Sequence, residues 1–320
     1  MLKNNKINPT AHKIPVKIVG VTGHTRSGKA IMLSTISSFV NFEKVCMDPI
    51  VEEAGCLNFI KKLDNSSAKY LMRRSILMKM YYLSIAREIN YRKNDVTSIF
   101  SYKNSKVYLK RSKLNEGDDT LKKFINSKPV IPLMIHDGLL FGKLLFQAFP
   151  DIKIIEMIKN PIEIAYSWIA KKYEGGFENN LRTSTMNLGF LNKKTPYYVF
   201  QDEKKYLCLN KFDKVIFALN KLEKFKKNQL SKLNSKEKKN ILVINHLNFV
   251  TKTDYTLKKI KFFLGKKSTK FTKKILKKNS CPRNYNFKEL ENKKIFLKSK
   301  LSKDYYNLLL KLESNFLKKK

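Results

Sequence analysis

Short apolar, β-branched runs alternate with segments of helical spacing along this chain. Residues 16–21 (VKIVGV), 130–135, 153–158 and 240–244 each read as a buried strand. Residues 30–39, 68–92, 138–149 and 253–264 carry helical patterns, the last closed by Gly265 as a C-cap. Asn160 before Pro161 predicts an N-cap and first helical position, with a helix through Ser167 to about Lys172 that Gly175 and Gly176 break. Lysine-rich helical segments are expected over 202–236 and a final helix over 302–316. Residues 103–128, 177–200 and 266–290 read as polar or irregular. This alternation predicts an α/β fold with a doubly wound parallel sheet. It is expected to form a single domain over 1–320, with its core in 14–265 and a basic loop and helix in 266–320.

Charge changes this picture less than its size suggests. The 320 residues carry 66 Lys+Arg against 26 Asp+Glu, a formal charge of +40. The excess is lysine, 58 against 8 Arg, spread along the whole chain rather than gathered in a stripe. Sequence-specific readers of nucleic acid use arginine forks and aromatic platforms; neither pattern is present, so no specific nucleic-acid partner is expected. The charge does favour encounter with anionic ligands. The four cysteines (Cys46, Cys56, Cys208, Cys281) and four histidines (His12, His24, His136, His246) show no zinc spacing. The most apolar stretch, 130–149, is interrupted by Pro132, His136, Asp137 and Lys143, so no membrane span is expected. With no apolar signal region after the basic start, a cytoplasmic location is expected.

The candidate chemistry begins where the first strand ends. Gly23-His24-Thr25-Arg26-Ser27-Gly28-Lys29 has phosphate-loop spacing, in the strand–loop–helix setting that turns backbone N–H groups toward an anion. A nucleotide hydrolase or kinase would follow the lysine with Ser or Thr to ligate magnesium. Here Ala30 stands there, which suits an anionic ligand handled without a metal.

Residues 145–168 (LFQAFPDIKIIEMIKNPIEIAYSW) resemble the 3′-phosphate-binding segment of the sulfotransferases that use 3′-phosphoadenosine 5′-phosphosulfate (PAPS). That family has a strand of fPdaKiI type, then Arg-(Asp/Asn)-Pro, then Ser eight positions after the Arg. Lys159 takes the Arg position and Ser167 the Ser position, and Asn160 and Pro161 also match. The family's 5′-phosphosulfate loop, (Arg/Lys)-Ser-Gly-Thr-Thr, is matched by Arg26-Ser27-Gly28, with Lys29 and Ala30 replacing the threonines. Residues 241–265 resemble the family's late strand and helix. The resemblance implies PAPS as sulfuryl donor, no metal, and a small-molecule or glycan hydroxyl as acceptor. It implies a cofactor site of Gly23, Arg26, Ser27, Gly28, Lys29, Ala30, Lys159 and Ser167, with Lys29 beside the leaving phosphate. By position alone, Arg283 in Pro282-Arg283-Asn284 stands for the family's Arg-Lys-Gly lid. Replacing Arg by Lys at 159 gives up a bidentate fork.

The base that takes the acceptor's proton has two candidates. His136 ends a predicted strand, where cytosolic members carry Lys-Thr-His, and its ordinary pKa suits neutral pH. Glu52 and Glu53 occupy the place of a glutamate pair in tyrosylprotein sulfotransferases. His136 is preferred. The alternative function is a P-loop kinase or NTPase, with Gly23 to Lys29 as Walker A and Asp137 facing magnesium. That reading leaves the segment around Lys159 without a role.

Overall fold

The computed structural model describes residues 14–93, 95–171 and 185–318. Five strands, β1 (Lys17–Thr22), β2 (Cys46–Met47), β3 (Val130–Met134), β4 (Lys153–Ile158) and β7 (Ile241–Asn245), form one sheet in the order β2-β3-β1-β4-β7. Every pairing in it is parallel. A separate antiparallel hairpin joins β5 (Asn187–Phe190) to β6 (Lys193–Pro196).

Period-two alternation sends side chains to a core on each face of the sheet. Ile18, Ile131, Leu133 and Ile154 enter one core. Val19, Val21, Met134 and Ile155 enter the other. The second core is covered by α1 (Lys29–Ser37), α11 (His246–Thr251), α12 (Thr253–Leu264) and α13 (Lys270–Lys278). The first is covered by α2 (Pro49–Phe59), α3 (Asn65–Ser84), α6 (Gly142–Ala148), α7 (Pro161–Ala170), α9 (Lys211–Ser231), α14 (Phe287–Lys300) and α15 (Lys303–Leu317). The shorter α4 (Ser105–Arg111), α5 (Asp118–Asn126) and α8 (Glu203–Leu207) add Tyr108, Phe124 and Tyr206 to that core, while α10 (Ser235–Lys239) precedes β7. Helices on both faces of a parallel sheet make this the doubly wound α/β fold that the alternation predicts.

Several expectations need correction. The helix expected over 68–92 starts earlier and stops at Ser84. The Asp64 side chain caps it by accepting from the Ser66 and Ser67 amides, and the left-handed φ of Ala86 and Glu88 turns the chain out of it. The polar stretch 103–128 contains α4 and α5, anchored by buried Tyr108 and Phe124; Gly117, within the expected turn, precedes α5 with φ 133°. The supposedly irregular 266–290 holds α13, whose N-cap Thr269 accepts from the Phe271 amide and whose Ile275 and Leu276 are buried. It also holds the start of α14, which the sequence reading missed. Part of 177–200 forms the β5–β6 hairpin. Lys172, the Gly175-Gly176 break and His12 lie outside the described residues. No helix among the described residues is long and apolar enough to cross a membrane.

Candidate active site

Doubly wound sheets gather their chemistry outside the carboxyl ends of the strands, and here the ends of β1, β3, β4 and β7 converge on one loop. The loop between β1 and α1 is shaped by three positive φ angles, at Gly23 (131°), Arg26 (70°) and Gly28 (98°). Glycine is required at two of them by close packing as well. A Cβ at position 23 would lie 2.3 Å from the Met157 carbonyl oxygen of β4, and one at position 28 would lie 2.4 Å from the His246 ring. Arg26 adopts its left-handed backbone without that freedom, a conformation that costs energy and recurs at ligand-binding loops.

Helix α7 grips this loop from the side. Asn160 caps it by accepting from the Ile162 amide at 2.8 Å, and Pro161 opens it, as the sequence predicts. Two turns on, adjacent residues reach the loop. Arg26 Nε donates to Ser167 Oγ at 3.0 Å, and Trp168 Nε1 donates to the Thr25 carbonyl at 3.0 Å. The sequence reading did not anticipate the second bond. Lys159, at the base of the same helix, lies 3.6 Å from Glu163. Burial lowers its pKa, as do the charges of Lys293 and Arg283, while Glu163 opposes the shift. Arg283 thus comes within electrostatic reach of Lys159, although its place in the site rested on position alone.

His246, which no motif singled out, stands among these cations. Burial first, then Lys159 and Arg283, push its pKa down to about 3. It is therefore neutral at pH 7 and presses its ring on Gly28. Ser27 Oγ is buried with no hydrogen-bond partner. Several cations, an orphan hydroxyl and a loop with positive φ angles fit a ligand bearing two anionic groups.

Lys29 sits under the loop rather than across it. Its Nζ donates to the carbonyls of Gly23 and His24, each at 2.7 Å, and the side chain is buried. Burial pulls its pKa down to about 8, against the opposing pull of Asp137 and Glu52. Ala30 follows as an exposed residue of α1, contributing no polar group.

The two rival bases prove to be partners. Glu52 Oε1 accepts from the His136 backbone amide at 2.8 Å and lies 2.9 Å from His136 Nδ1. With Nδ1 protonated and held by the carboxylate, Nε2 carries the lone pair. Glu53, one position along α2, is exposed. His136 is fixed against the loop because the β3 turn is: the Asp137 amide donates to the Gly23 carbonyl at 3.3 Å and the Gly138 amide to Thr22 Oγ1 at 2.7 Å.

Asp137, the magnesium-facing acid of the kinase alternative, accepts instead from His24. His24 Nδ1 lies 2.6 Å from Asp137 Oδ1, and its Nε2 lies 2.7 Å from Glu223 Oε1. Carboxylates at both ring nitrogens call for the imidazolium, the form with two donors. Burial opposes that charge, but Asp137 and Glu223 outweigh it and raise the pKa to about 9. The chain of charges continues inward, from Glu223 to Lys226 at 2.6 Å and from Lys226 to Glu156 at 2.9 Å.

No protein-family model and no curated protein matches this chain. Solved structures that it resembles include two sulfotransferase domains and a sulfotransferase. The sulfotransferase domain of the curacin biosynthetic pathway is 11% identical, with 80% of this chain and 76% of that one covered and a TM-score of 0.43. That of the Synechococcus PCC 7002 olefin synthase is 10% identical, with 96% of each chain covered and a TM-score of 0.45. A sulfotransferase from Mycobacterium avium is 9% identical over 91% of this chain and 78% of its own, with a TM-score of 0.42.

Proposed function

We propose that this protein transfers a sulfuryl group from PAPS to the hydroxyl of a small-molecule or glycan acceptor, without a metal. The observation that carries this reading is the Arg26–Ser167 hydrogen bond. It joins the loop that would hold the 5′-phosphosulfate to the helix that would hold the 3′-phosphate, two segments 141 residues apart. Lys159 and Arg283 add charge on the 3′ side. His246, neutral beside them, is open to donate a hydrogen bond without adding to their repulsion.

His136 supplies the base. Its Nε2 takes the acceptor hydroxyl proton as that oxygen forms the new S–O bond. The bond from sulfur to the 5′-phosphate oxygen breaks, and 3′-phosphoadenosine 5′-phosphate leaves. Glu52 holds the tautomer and stabilises the imidazolium that forms. Arg26 and the loop amides take up the charge on the leaving phosphate. Lys29 contributes its field from beneath the loop and keeps the loop's shape.

Two outcomes test this reading. Arg26→Ala should weaken binding of 3′-phosphoadenosine 5′-phosphate by roughly 10–100-fold, the range for losing one or two charge-assisted hydrogen bonds. Unchanged affinity, measured by calorimetry, would remove the loop from the donor site. Because burial pulls the Lys29 pKa down to about 8, the same affinity should fall as pH rises through that value, when the ammonium loses its proton. Lys29→Met should flatten this dependence; a profile identical to wild type would contradict it.

A further inference from the structure

A cavity of about 540 Å³ lies beside the phosphate loop, between the end of β4 and helices α7, α9 and α15. Its size falls within the roughly 300–1,000 Å³ of sites that hold small organic ligands. Arg26, Ser167 and His136 do not line it, but Lys159, assigned above to the donor's 3′-phosphate, and His24 of the phosphate loop do, so the cavity adjoins the donor site and stays clear of the base.

Its chemistry is graded from inside to outside. The inner end carries His24, Glu223 and Lys226, whose charges are already matched to one another. The walls are apolar, from Ile164 of α7, Leu219 and Leu230 of α9, and Leu308, Leu312 and Phe316 of α15. Three exposed lysines, Lys224 and Lys227 on α9 and Lys311 on α15, also line it, together with Lys159, Asn220 and Asn315. None of the three forms a salt bridge among the described residues.

We infer that this cavity binds an amphipathic anion, with its apolar body between α7, α9 and α15 and its carboxylate or sulfate head at Lys224, Lys227 and Lys311. The apolar walls favour a hydrocarbon body by removing it from water. The charges of His24, Glu223 and Lys226 at the inner end are paired with one another, so an apolar body strands none of them. A cationic or zwitterionic head would meet like charge at the lysines. Since Glu223 lies in the cavity and bonds to His24 of the phosphate loop, an occupant would rest directly on the loop's support. The inference does not depend on the donor being PAPS.

The test is fluorescence titration of the full chain with dansyl-undecanoate, with competition by dodecanoate and by dodecyltrimethylammonium. A single saturable site is expected, displaced by the anion and not by the cation. Lys224→Ala/Lys227→Ala/Lys311→Ala, which changes only exposed side chains, should weaken it by about tenfold or more. Leu308→Trp, which fills the cavity from a partly buried position, should abolish it while circular dichroism reports an unchanged fold. Should Leu308→Trp fail to fold, the lysine variant decides alone. Absence of saturable binding, equal displacement by the cation, or indifference to both variants would overturn the inference. The last result would mark non-specific attraction to the many surface lysines.

Discussion

Replacing His136 by alanine should lower the turnover of sulfuryl transfer by roughly 10²–10⁴-fold, the span a positioned general base contributes. Affinity for 3′-phosphoadenosine 5′-phosphate should stay within about twofold, because the proposed mechanism puts His136 on the acceptor side and Arg26, Lys159 and Ser167 on the donor side. The assay is transfer of labelled sulfate to any hydroxyl acceptor found among phenols, glycans and alcohols. Glu52→Gln keeps the shape but loses the charge that holds Nδ1–H, so turnover should fall by about tenfold or more. A purely structural role for Glu52 would lower stability and leave the turnover of the folded enzyme in place. If His136→Ala retained wild-type turnover, the base would have to lie elsewhere.

Lys226→Met should destabilise the protein by about 3–5 kcal/mol, the cost of leaving a buried charge without its partner. Lys226 is buried and lies 2.9 Å from Glu156, itself buried on β4, and 2.6 Å from Glu223. Its loss leaves Glu156 without its cation and Glu223 with His24 alone. The double variant Lys226→Met/Glu156→Leu should recover much of the loss, because it removes the stranded charge too. The denaturant midpoint measures both. A single-variant loss below about 1 kcal/mol would show that the network is not buried as described.

The same network sets a pH window. His24 has its pKa raised on folding, so its stabilising contribution is fully present below about 6.5 and is lost as pH rises through about 9. Glu223 and Asp137 have theirs lowered, so their contributions hold above the ordinary carboxylate range and are lost on acidification. Stability should therefore be greatest between those limits.

What the sequence could tell depended on whether local pattern or strand order decided the matter. Four strands of the parallel sheet and the cap at Asn160 were legible because short apolar, β-branched runs and an Asn-Pro pair are local signals. The helix α13 was read as irregular, because its many lysines masked the Thr269 cap and the apolar Ile275 and Leu276. Glu52 and His136 looked like competitors because 84 residues separate them. Only the position of β3 between β2 and β1 brings them together, and no spacing rule carries strand order. His24 was one of four scattered histidines. Its role depends on Asp137 and Glu223, which arrive from a different strand and a distant helix. His246 leaves a trace only through Gly28, where the absence of a side chain makes room for its ring.

The central claim is that the loop and α7 together form a site for a nucleotide carrying a 3′-phosphate. Calorimetric titration with 3′-phosphoadenosine 5′-phosphate, ADP and ATP, each with and without magnesium, on wild type and Lys159→Ala, tests it most directly. The account predicts magnesium-independent binding that favours the 3′-phosphate and loses that preference in the variant. Tight binding of magnesium-ATP that is indifferent to Lys159 would contradict it and move the kinase reading to first place.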